Sequence, residues 1–90
     1  MAELKQIREY IREMAHRTKG VRLSEIEWVV RNLALNGYGT RSKSNGHQTI
    51  FTVDRLKFGV CSHHSGSSQV KSEYVKQFLN VMMELGLYDE

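Results

Sequence analysis

In this 90-residue chain, His47 is the residue best suited by type and neighbours to move a proton. An imidazole has an ordinary pKa of about 6.5, so it can both give and take a proton near neutrality. Arg41 and Lys43 precede it by six and four residues. On an adjoining strand, their cations could approach any anionic group that His47 serves. Gly46, just before the histidine, lacks a Cβ, permits a positive φ and lets a phosphate backbone come close. His63 and His64 follow in "SHHSGSSQ", and Lys71 stands where a last helix would begin. There the positive end of the helix dipole would reinforce the lysine. Histidines with cations are a set for acid–base work on a phosphate. The plainer reading stands beside it. Asn45-Gly46 is a hairpin signal, so "NGH" also reads as a turn with an exposed histidine. His63 and His64 also read as solvated loop residues.

Other candidates carry less chemistry. Cys61 with His63, His64 and His47 has the donor types of a zinc site, but Cys-x-His-His is not a standard ligand spacing. No metal and no cofactor is expected. Cys61 has no orienting base recognisable by spacing and reads as a small core residue. His16 falls at the end of a helical stripe, where it suits the helix dipole. Trp28 could stack a base, yet its position favours packing.

The elements that must position these groups follow from pattern. Leu4, Ile7, Ile11 and Met14 are three and four residues apart, one face of a helix over 3–18 that packs on the rest or on a partner. Ser24 and Glu27 fit a capping box, flanked by a Leu23–Trp28 staple. Ile26, Val29, Val30, Leu33 and Ala34 continue that helix to Asn36-Gly37. Residues 37–62 change to a β pattern, with strands expected at 38–43, 47–53 and 57–62. "VDRLK" is the turn between the last two. Ser72 is a fitting N-cap for a helix over 72–85, striped by Val75, Phe78, Leu79, Met82 and Met83 and stopped at Gly86. The expected fold class is α+β. A two-layer α-β-β-β-α unit with a three-stranded antiparallel sheet occupies 23–90. An extra N-terminal amphipathic helix occupies 1–22.

Composition bounds the rest. With 40% hydrophobic and 26% charged residues, the chain can build one modest core. No apolar run is long enough to span a bilayer, and Glu3, Lys5, Arg8 and Glu9 interrupt any signal-peptide centre. A single cysteine fits a reducing, cytoplasmic setting. The formal charge is +3, but residues 37–71 hold Arg41, Lys43, Arg55, Lys57 and Lys71 against Asp54 alone. A basic middle suits a polyanion such as nucleic acid, and an ordinary solvated surface equally.

Several motifs occur in an order that resembles the HicA toxins, small mRNA interferases of bacterial toxin–antitoxin pairs. They are a helix ending at "NGYG", the R-x-K-x-x-G-H-x-x-I run over 41–50, V-x-x-H-H-S-G over 60–66 and "VKSEYVKQFLNVMMELGL" over 70–87. Asn45-Gly46-His47 stands where the family usually has Gly-Ser-His, and the helix at 3–18 is additional to the family pattern. The resemblance covers about two-thirds of the chain. It implies a fold like the double-stranded-RNA-binding domain, RNA cleavage and neutralisation by a HicB-like antitoxin. The family's catalytic histidine maps onto His47. With it, Arg41, Lys43, Gly46, His63, His64 and Lys71 would contact RNA. Metal-free cleavage is open to RNA because its own 2′-OH is a nucleophile. A positioned histidine contributes about 10²–10⁴-fold to such a reaction. Two other readings remain: a non-catalytic RNA-binding module of the same fold, and an interaction protein that dimerises through its N-terminal helix.

Overall fold

The 3–4–3 spacing of the first apolar stripe becomes one buried ridge. In the computed structural model Ile7, Ile11 and Met14 are fully buried. The structure describes residues 3–17, 20–45, 48–61 and 70–89. Helix α1 (Leu4–His16) is followed by α2 (Leu23–Leu35), strands β1 (Thr40–Asn45), β2 (Gln48–Val53) and β3 (Leu56–Cys61), and α3 (Ser72–Glu84). The chain is thus α+β, with three helices and one three-stranded antiparallel sheet in the order β1-β2-β3.

The strands alternate as a half-buried sheet requires. Phe51, Val53, Phe58 and Val60 are buried, while their neighbours Ile50, Thr52, Lys57 and Gly59 are exposed or half-buried. On the buried face Phe58 stacks on Phe51 at 5.3 Å and meets Phe78 of α3 edge-on at 5.4 Å. Helix α3 packs on β3 and α2 on β1, and α1 packs against both helices. One hydrophobic core therefore joins Ile7, Ile11 and Met14 to Ile26, Leu33, Phe51, Phe58, Phe78 and Met82. The segment set apart in the sequence as an N-terminal extension contributes to the same core as the rest. Burying a side chain such as Phe78 is worth roughly 1.5–3 kcal/mol by transfer.

The helix ends differ from the sequence expectation at two starts. The N-cap of α2 is Arg22, two residues before Ser24, which is an exposed residue inside the helix. The Arg22 carbonyl takes the first helical bonds, from Glu25 and Ile26, and Glu25 rather than Glu27 reaches back to the Arg22 N–H at 3.3 Å. Val70 N–H donates to Val21 O at 2.8 Å and holds the chain extended just before this start. Likewise Lys71 caps α3, because its carbonyl accepts from Tyr74 and Val75, and Ser72 is the first helical residue.

The glycine stops are as expected. Gly37 and Gly86 have φ of 95° and 76°. Tyr38 and Gly37 donate to Leu33 O and Ala34 O, and Leu87 and Gly86 donate to Met82 O and Met83 O. These paired bonds are Schellman motifs, which satisfy the last carbonyls of α2 and α3.

The first of these motifs also moves β1. Tyr38 is committed to the helix end, and Gly39 N–H donates to Asp54 Oδ1 at 3.0 Å while its carbonyl accepts from Asp54 N–H at 2.6 Å. Strand pairing therefore begins at Thr40 rather than 38, and β1 runs to 45 rather than 43. Asp54, at φ 56°, forms with Arg55 the two-residue turn between β2 and β3. Aspartate tolerates this left-handed geometry better than most residues.

Candidate functional site

The register fixes which residues share the face turned away from the helices. Arg41 pairs with Thr52, and Thr52 with Lys57; Lys43 pairs with Ile50, and Ile50 with Gly59. Each of these trios is a row across the sheet. A third row, Asn45, Gln48 and Cys61, lies at the end where β1 gives way to β2. Strand rise puts Arg41 and Lys43 roughly 7 Å apart along β1, and strand spacing puts Lys57 roughly 10 Å across from Arg41. Arg41, Lys43 and Lys57 are all exposed. Among the described residues none of the three forms an ion pair with a carboxylate. Ile50, 41% exposed, stands among them.

An open depression of about 400 Å³ is bordered by Arg41, Thr52 and Lys57, with Gly39, Thr40 and Asp54 closing one end. Lys57 is not singled out by the sequence for this role. Its signal was the shared period of two in Arg41, Lys43 and Lys57, legible only once both hairpin connections have fixed the register.

The other expected residues divide into two groups. Lys71 is exposed at the start of α3, beside the Val21–Val70 contact, and belongs to the helix layer rather than to the face of Arg41 and Lys43. Gly46, His47, His63 and His64 lie outside the described residues. The Asn45–Gln48 pair leaves only Gly46 and His47 between β1 and β2 in the sequence. The zinc set, which needs those histidines, falls outside as well. Among the described residues no three histidine, cysteine or acidic side chains are grouped to hold a metal. Cys61 is half-buried at the end of β3, and hydrogen bonding and charge from Cys61 hold the Tyr74 pKa above its ordinary value. His16 is the exposed last residue of α1.

A second polar cluster sits at the elbow between α1 and α2. Arg17 grips Glu25 through both terminal nitrogens, and the Tyr10 hydroxyl donates to Glu25 Oε2 at 3.3 Å. Burial works to raise the Glu25 pKa. The hydrogen bond and charge of Arg17, the Arg22 N–H and Tyr10 together outweigh it and hold the carboxylate below its ordinary range. Tyr10 is pushed up, first by burial and then by the Glu25 charge. Trp28 meets the Tyr10 ring edge-on at 4.7 Å, so it packs at this elbow. No helix among the described residues is long and apolar enough to cross a membrane.

Comparison of the chain with family models, with curated proteins and with solved structures gives no match.

Proposed function

We propose that this chain is an RNA-cleaving toxin of HicA type, with a fold of the double-stranded-RNA-binding kind and a HicB-like antitoxin as its protein partner. The observation that carries this reading is the exposed pair Arg41 and Lys43, on one face of the strand that leads directly to Gly46 and His47. The α-β-β-β-α order of residues 23–84 is the order that the motif resemblance implies. In this reading His47 moves the proton of the reaction. The O2′–P bond forms as the P–O5′ bond breaks, O2′ loses a proton and O5′ gains one. Arg41 and Lys43 bind RNA phosphate, Lys43 being the nearer of the two to the histidine along β1, with His63 or His64 as auxiliary. Lys71 contacts phosphate from the helix layer.

A second reading is a binding module without catalysis. The cations of the open face favour it, because they support RNA contact whatever His47 does. Purified protein incubated with RNA separates the two. The toxin reading expects cleavage by the wild type, and loss of cleavage with retained RNA affinity in His47→Ala. Equal cleavage by both proteins sinks the role of His47. Binding without cleavage by both establishes the module. The interaction reading has less to work with, because the stripe Ile7, Ile11 and Met14 is buried in the chain's own core.

A further inference from the structure

We propose that the open face of the sheet binds a single strand of RNA, with one phosphate held between Arg41, Thr52 and Lys57 and a base resting on Ile50. This inference rests on the reading of the chain as RNA-binding and adds where, and in what form, the RNA lies.

Three observations converge on it. The first is charge. Arg41 and Lys57 stand at the two ends of one row, separated by the half-buried Thr52, and neither has a carboxylate partner among the described residues. Like charges held on one face repel each other, and an anion between them removes the repulsion. A guanidinium, an ammonium and a hydroxyl around an open depression match the oxygens of a phosphate. Asp54 is the one acid bordering it, and its Oδ1 accepts from the Gly39 N–H. Its charge closes the turn end to a polyanion and leaves the other direction open.

The second observation is relief. In the next row Ile50 is exposed and its neighbour on β3 is Gly59, which has no side chain. A Cβ there would come within 3.2 Å of Gln48 Nε2. The Gln48 amide thus lies against the Gly59 backbone beside Ile50, and a base resting on the Ile50 side chain has an amide within reach of its edge.

The third is size. Three strands give a face roughly 10 Å between outer backbones, with cations on six-residue strands. Duplex recognition by shape spans about 16 base pairs and two minor grooves, which these strands do not reach. Lys43 extends the cationic line toward the Asn45–Gln48 end. That end lies roughly 13 Å along β1 from Arg41, so the phosphate at Arg41 and Lys57 is a different one from the phosphate His47 would serve. Arg41, Thr52 and Lys57 are thus positioning residues.

The test uses the His47→Ala protein, which keeps the RNA intact. Its affinity for a labelled single-stranded oligoribonucleotide and for a duplex of equal length is measured across salt concentration. Adding Lys57→Gln or Arg41→Gln is expected to weaken single-strand binding and to lower the salt slope by about 0.7 each. Ile50→Ala is expected to weaken binding with the slope unchanged. Lys76→Gln on the exposed side of α3 removes the same charge and is expected to leave binding as it was. If the His47→Ala protein binds RNA and the Arg41 and Lys57 variants bind equally well, the proposed face is wrong while the RNA reading stands. Equal weakening by Lys76→Gln, or a preference for duplex, overturns it in the same way. No RNA binding at all overturns both.

Discussion

The elbow between α1 and α2 and the open face of the sheet are both polar, and they handle charge in opposite ways. At the elbow Glu25 is mostly buried and receives bonds from Arg17, Arg22 and Tyr10. On the sheet Arg41, Lys43 and Lys57 are exposed and have no carboxylate partner among the described residues. A charge with all its partners inside the chain serves the fold. On the proposed reading the sheet cations take their counter-charge from RNA, whereas the elbow keeps its charges paired within the chain.

The contrast can be broken at the level of packing. Ile11→Ala, in the fully buried ridge of α1, is expected to cost about 2–5 kcal/mol of unfolding free energy in a urea titration. A loss below 1 kcal/mol would mean that α1 is only loosely attached. Next comes the elbow. Glu25→Ala leaves Arg17, which is one-third exposed, without its main partner. The expected loss is about 1–3 kcal/mol, between the values for surface and fully buried pairs.

The pH dependence sharpens the same point. The folded-state pKa of Glu25 is depressed, so its contribution is fully present above the unfolded value of about 4.3 and is lost as pH falls through the lower folded value. The wild type should lose more stability than Glu25→Gln on acidification below about pH 4. Equal acid sensitivity would show that the elbow is not electrostatically coupled to folding. The smallest effect is expected on the sheet. Ile50→Ala should change stability by no more than about 0.5 kcal/mol, because its side chain already faces solvent. A larger loss would make Ile50 a structural residue and weaken its role as a base seat.

The sequence makes the helices legible because three- and four-residue spacing is written locally. Ile7, Ile11 and Met14, or Val75, Phe78 and Met82, need no knowledge of distant residues. The glycine stops at 37 and 86 are legible for the same reason. The N-caps of α2 and α3 lie two residues and one before Ser24 and Ser72, the caps that the sequence suggests. The contact that holds the chain there, Val21 with Val70, is remote in sequence and carries no local signal. β1 starts two residues later than its local pattern suggests because the Gly39–Asp54 exchange, again long-range, claims the first candidate strand residues. The site shows the same division. Arg41 and Lys43 share a face by simple alternation, but Lys57 joins them only through a register that depends on both hairpins. Lys71 stands at the start of α3, as its place in the sequence suggests, and so belongs to the helix layer.

Helix α1 has α2 and α3 as its principal packing partners. In that groove it acts as a tethered ligand of its own chain. A short connection gives such a ligand an effective concentration on the order of millimolar. Amphipathic helices from other molecules, at micromolar levels, therefore compete poorly for the surface it covers. The apolar stripe that reads in the sequence as a partner surface is thus occupied by the chain's own helices.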